Sequence, residues 1–395
     1  MEISGRILSL MMGASVAGLA LCDAAKAQET IKLGLSTALS GAGAIFGTGS
    51  EFMCKKAARE IAAAGGVKVG GKTYNFECLA YDNKYTAAEG TRVAQTLLNR
   101  DGVKFISGAF GAAPVQALQA LAERQGVIVF TSAWSVSIKG PKFPLTFTEC
   151  NTLVEIVPPL ARFVLKAHPG VKTVAILNTN DATGKETEAI SRKEWEKSGI
   201  KVLSSDFYER GTTEFQPLAL RIASLKPDMV DLGANPPPDA GAVFRELSVL
   251  GWSGVKVMPG GSGADGLKAT GGAAVEGVYM GAALTFEGPN VSEHQKSVNN
   301  EARTAIGESL NTTHVGNYDA VYAIKAGIEK AQSVDPIQVA RILPSVKFRT
   351  FYGGEARFGG EETYGSPQQM LLPVLITQIK QGSPIELARI SPAGL

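Results

Sequence analysis

The sequence predicts an α/β chain folded as two doubly wound, three-layer lobes joined by three extended crossings. Three observations carry the prediction. Short, uniformly apolar segments alternate with amphipathic ones, the pattern of parallel strands covered on both faces by helices. The alternation supplies more than eight strands, which suits either a closed β/α barrel or two doubly wound domains. The extended stretches "KFPLTFTECNT" (142–152) and "EGVYMGAALTF" (276–286) then break the rhythm at similar intervals, which decides for two lobes with the chain passing between them.

Taken in order, strands are expected at 31–37, 74–83, 103–107 and 126–132, with helices near 50–64, 86–99 and 114–125. After the first crossing the rhythm resumes with a helix near 152–167, then strand 173–179, helix 185–198 and strand 201–208. Helix 214–225, strand 228–234, helix 239–251 and strand 255–260 follow. Helices near 292–306, 317–333 and 336–343 lie beyond the second crossing, and residues 370–384 read as one more strand and turn. The expected division is 28–147 plus 281–367 for the first lobe and 148–280 plus 368–395 for the second.

Residues 1–27 read differently. Arg6 precedes an uncharged apolar run, Ile7–Cys22, and Ala25-Lys26-Ala27 supplies small residues at a cleavage position. A cationic start, a short apolar core and an A-x-A site describe a secretory signal peptide cut after Ala27. The run is shorter than the ~20 residues that span a bilayer. Leu21 stands before Cys22 where a lipid-anchored chain would want a small residue. The expectation is export from the cytoplasm without stable membrane insertion. A formal net charge of +2, with no basic cluster, argues against nucleic acid as a partner.

Export permits a disulfide. Cys54 falls on the first expected helix and Cys78 on the next strand, neighbours in any βαβ layout, so a Cys54–Cys78 bond is favoured over three buried thiols. Whether Cys150 is free stays open. The cysteine spacing and the three scattered histidines match no metal pattern, and no metal or other cofactor is expected.

The strand-to-helix turns share one character. "STALSGAGAIFG" (36–47), "SGAFGAAP" (107–114), "TSAWSVS" (131–137), "NTNDATG" (178–184), "GANPPPD" (233–239) and "MPGGSGADG" (258–266) are rich in small and uncharged residues. Small residues let backbone N–H groups approach a guest, and helix N-termini favour an anion. Each turn alone reads equally well as a helix cap; six at the same edge of two sheets point to a binding cleft. No G-x-S-x-G elbow, phosphate loop or paired carboxylates accompany them, so the turns read as binding without reacting.

The order of these segments resembles the periplasmic leucine/isoleucine/valine-binding proteins, the type I solute receptors of ABC importers, over essentially the whole mature chain. The markers are "KLGLSTALSGAGAIFG", "AAREIAAAGGVKVGGKTY" before "YDNKYTAAEGTRVAQTLLNRDGVKFISG", "GVIVFTSA" and "GNYDAVYAIKAGIEKA". The resemblance implies a monomeric, non-enzymatic Venus-flytrap receptor that closes on a small carboxylate and hands it to a membrane permease. It also implies where the ligand sits. Its carboxylate would meet Ala109, Phe110 and Gly111 after the third strand, and Ala133, Trp134 and Ser135 after the fourth. Phe46 would form a wall, and Thr183, Asn235 and Gly261 would reach in from the second lobe. Amino-acid receptors of this family place a carboxylate for the ligand's ammonium where this chain has Gly261, and a tyrosine where it has Asn235. An ammonium closed into a cleft without a counter-charge is penalised by several kcal/mol. The favoured ligand is therefore an aromatic acid without an amine, with Phe46, Phe110 and Trp134 as its aromatic wall. A leucine-type amino-acid receptor, a sensor subunit presenting ligand to a membrane receptor, and a secreted hydrolase are the alternatives.

Overall fold

The computed structural model describes residues 29–391; the expected leader and its cleavage site lie outside these residues. Two sheets organise the chain. The first has eight strands in the order Phe358–Gly359, Gln369–Met370, Thr146–Thr148, Ile128–Thr131, Phe105–Ala109, Glu29–Thr37, Lys72–Asp82 and Val67–Val69. Glu29–Thr37 runs parallel to both Lys72–Asp82 and Phe105–Ala109, which puts the ends of all three at one rim. The second has seven strands in the order Ser383–Ile390, Val374–Lys380, Tyr279–Met280, Val255–Met258, Met229–Asp231, Thr173–Thr179 and Lys201–Tyr208. Helices cover both faces of each sheet, because the central strands carry apolar side chains on both sides and neither face can stand in water.

In the first lobe, Leu33, Leu35, Phe105 and Phe130 form one core with the helices Ala44–Ala63 and Thr312–Ala331. On the opposite face Ile106 and Val129 pack with Val93, Val115 and Leu118 from Ala87–Gln95 and Ala112–Gln125. Cys54 of the first helix and Cys78 of the second long strand are joined in a disulfide, and Cys150 is a buried free thiol. In the second lobe Trp195 is fully buried and donates to Asp231 at 2.7 Å.

Three details depart from the sequence reading. Val67–Val69 folds back onto Lys72–Asp82 as a hairpin through Gly70 and Gly71, both at positive φ, the conformation a two-residue hairpin turn demands. The helix expected from 317 starts at Thr312, because Asn311 caps it by accepting from the N–H groups of Thr313 and His314. The terminal strand and turn is a full hairpin, and Gln369–Met370 before it pairs in the first sheet, beyond the expected boundary at 367.

The chain passes between the sheets three times, after Thr148, after Met280 and after Met370. These passages lie side by side. Asn151 of the first donates to the carbonyls of Leu372 and Pro373 in the third. Leu153, Ala282 and Val374, near the three passages, share one apolar cluster. A capping box in which Thr152 and Glu155 satisfy each other's turn fixes where the first passage becomes the helix Leu153–Ala167. Among the described residues no helix is long and apolar enough to cross a membrane.

Candidate functional site

The carboxyl ends of the central strands of both sheets face each other, and between them lies a small cavity of about 40 Å³. Its floor on the first-lobe side is aromatic. Phe46, in the first turn of Ala44–Ala63, stacks on Phe110 at a centroid distance of 4.8 Å, and Tyr85 tilts against Phe110 at 5.4 Å. Trp134, from the turn after Ile128–Thr131, lies across the gap against Gly260 of the second lobe. Four rings thus border one cavity.

Tyr85 holds its place at the expense of backbone comfort. Lys84 and Tyr85 both sit at positive φ, 47° and 59°, in the left-handed region that non-glycine residues avoid. Asp82 and Asn83 impose that geometry: Lys84 N–H donates to Asp82 Oδ1 and Tyr85 N–H to Asn83 Oδ1, each at 2.9 Å. The Asn83 amide in turn donates to the carbonyls of Ser36 and Phe110, tying the ends of three strands together. Backbone strain that its surroundings over-determine is characteristic of ligand sites. Here it delivers a phenol ring to the cavity. Burial pushes the Tyr85 pKa up, keeping its hydroxyl neutral beside Thr183 at 3.4 Å across the cleft.

The second lobe answers with Arg210, which follows Lys201–Tyr208. Asp181 Oδ2 accepts from its Nε and Nη2 at 2.9 and 2.6 Å, and the guanidinium lies 4.5 Å from the centre of the Tyr85 ring. Asp181 also caps the helix Ala182–Lys197. Arg210 is therefore aimed by two partners, and it is the one charged side chain on the cavity lining among the described residues. The helices starting at Ala112, Ala182 and Thr312 present Ala112, Thr183 and Thr313 to the same space. Asp181 offsets much of the Arg210 charge, so the polar side of the cavity is an ion-paired guanidinium and three helix N-termini, and no carboxylate lines it among the described residues.

Of the residues singled out in the sequence, Phe46, Phe110, Gly111, Ala133, Trp134, Thr183 and Asn235 line this cavity. Three do not. Ala109 closes its strand and turns its carbonyl to Thr131 and Ser132. Ser135 is drawn away across the cleft: its hydroxyl donates to Glu186 Oε1 at 2.6 Å, and Val136 N–H donates to Oε2 at 2.8 Å. A side chain at Gly261 would meet Met258 and Met280 inside the second lobe; the neighbouring Gly260 faces the cavity instead. Tyr85 and Arg210 were missed. The "YDNKYT" segment entered only as a family marker, and Arg210 stands in a charged "YERGTTE" loop that looks like ordinary solvated surface.

The family model described as periplasmic binding protein matches residues 30–383. The chain belongs to the periplasmic binding protein family. Among the relatives of this periplasmic binding protein is the leucine-, isoleucine-, valine-, threonine- and alanine-binding protein of Pseudomonas aeruginosa, 26% identical over 198 residues. That match covers 49% of this chain, which spans only half the length of that relative. Solved structures share the fold over nearly their whole length. A solute-binding protein of an ABC transporter from Rhodopseudomonas palustris, in complex with 3,4-dihydroxybenzoic acid, superposes with a TM-score of 0.77 at 22% identity, covering 92% of this chain and 98% of its own. A leucine-binding protein from Thermotoga maritima gives 0.75 at 19% identity, covering 92% and 99%. The two-lobe, type I architecture is common to these solved structures and this chain.

Proposed function

We propose that this protein is the exported solute receptor of an ABC importer, a monomer that binds an aromatic carboxylate between its lobes and delivers it unchanged to a membrane permease. One observation carries the reading: the cavity lining combines four aromatic rings and a guanidinium with no carboxylate. Rings on several sides favour a flat, apolar guest, and offset or tilted contacts of this kind add about 0.5–1.5 kcal/mol each beyond burial. Arg210 and the helix N-termini favour a negative charge on it. An α-ammonium would enter a closed site whose lining offers it no carboxylate among the described residues, beside a guanidinium already paired with Asp181. The benzoate-type ligand of the R. palustris relative supports the choice; the amino-acid relatives supply the competing one.

Isothermal titration of the ligand-free protein with benzoate, the hydroxybenzoates, phenylalanine and leucine tests the reading. Aromatic acids should bind and both amino acids should not. Arg210→Met should weaken aromatic-acid binding by about ten- to a hundredfold, the usual worth of a hydrogen bond to a charged group. Tight binding of leucine with no response to any aromatic acid would overturn the assignment.

A further inference from the structure

We infer that the ligand's ring carries a hydroxyl group and that Asn235 is the residue that selects it. This rests on the aromatic-acid reading and narrows it. Asn235 follows the strand Met229–Asp231 at the carboxyl edge of the second sheet; it lines the cavity and is 2% exposed. Its Nδ2 donates to the Leu177 carbonyl at 3.0 Å, so the amide is pinned with its nitrogen towards the second lobe's own strand. The other end, Oδ1, is buried and finds no donor among the described residues. A buried carbonyl oxygen left without a donor is costly, and native structures rarely keep one without a purpose.

The chemistry of the missing partner follows by exclusion. An ionised carboxylate has no proton to give, and a ring C–H is too weak a donor to select anything. An ammonium could donate, but no carboxylate lines the cavity among the described residues to balance its charge. A neutral O–H or N–H satisfies the acceptor without adding charge, and the hydroxyl is the one carried by the benzoate-type ligand of the R. palustris relative. Position agrees with chemistry. Arg210 lies beneath Tyr85 beside Thr183, whereas Asn235 lies next to Ala234 and Gly260, where Trp134 packs. The second lobe thus offers a cation in one corner and an acceptor in another, which suits a guest with an anionic end and a separate O–H.

The experiment compares benzoate, the three monohydroxybenzoates and 4-methoxybenzoate by isothermal titration on the wild-type protein, then repeats the series on Asn235→Leu and Asn235→Asp. At least one hydroxybenzoate should bind about ten- to a hundredfold tighter than benzoate, the range expected when a site built to hydrogen-bond meets an analogue lacking the group. The methoxy compound, which accepts but cannot donate, should show no such gain. The ratio of hydroxybenzoate to benzoate affinity should collapse in Asn235→Leu and survive in Asn235→Asp, which keeps an acceptor oxygen. Equal wild-type affinities for benzoate and every hydroxybenzoate would overturn the inference and leave the aromatic-acid reading standing. A ratio unchanged in Asn235→Leu would likewise remove Asn235 from the role. Failure of every aromatic acid to bind would instead sink the reading on which it rests.

Discussion

Adding one methyl group at Gly260 should prevent the lobes from meeting. An ideal Cβ there would lie 2.4 Å from Cζ3 and 2.7 Å from Cη2 of Trp134, with the Cα of Ala234 at 3.0 Å behind it. Carbon atoms pack at about 3.5–4.0 Å, so the indole would have to retreat by roughly 1 Å. Trp134 belongs to the first lobe and Gly260 to the second, so the severe collision exists only when the cleft is shut, while the close approach to Ala234 lies within the second lobe. Overpacking of this kind costs about 1–3 kcal/mol, which at about 1.4 kcal/mol per tenfold is a loss of roughly 5- to 150-fold in affinity. The assay is calorimetric titration of Gly260→Ala with 4-hydroxybenzoate, alongside thermal melting of the ligand-free variant. Affinity should fall by that factor while the melting temperature without ligand stays nearly constant. Unchanged affinity would refute the argument that this contact is part of the bound state.

Three further outcomes are expected. Glu186→Ala removes the acceptor for Ser135 Oγ and Val136 N–H across the cleft; affinity for 4-hydroxybenzoate should drop about tenfold, and small-angle scattering with saturating ligand should report a larger radius than wild type. Replacing Cys54 and Cys78 by serine releases a loop with a sequence separation of 24; the chain-entropy relation gives about 3.5 kcal/mol of lost stability, read as an earlier denaturant midpoint. His314 is fully buried, donating Nε2–H to the Ile45 carbonyl at 2.8 Å, and burial pulls its pKa down to about 4. The unfolded chain takes up that proton near pH 6.5, so stability should decline as pH falls from about 7 towards 4, by up to ~3 kcal/mol. A His314→Gln variant whose stability declines as steeply over that range would contradict this.

Much of the fold was legible because strand and helix periods are written directly into apolar spacing. Thr173–Thr179 and Lys201–Tyr208 have the expected bounds for that reason. The aromatic part of the site was legible too, since Phe46, Phe110 and Trp134 occupy turns at the carboxyl ends of strands. Its polar part was not. Arg210 owes its direction to Asp181 and Tyr85, which come from elsewhere in the sequence, and the left-handed backbone at Lys84 and Tyr85 carries no glycine to announce it. Gly260 and Gly261 are identical in composition and neighbours in sequence. Only the path of the turn decides which of them faces the guest.

Asn151, Gly281 and Pro373, one from each passage between the sheets, border a single small void. Two rigid bodies tied at three adjacent points keep one easy degree of freedom, a swing about the line through the ties. The three adjacent ties restrain twisting and sliding, so the swing favours the return of Trp134 to Gly260 and of Tyr85 to Thr183. The search for the correct mating of the halves is settled when the polypeptide folds, and a guest arriving later need only tip the balance of a motion whose track is already laid.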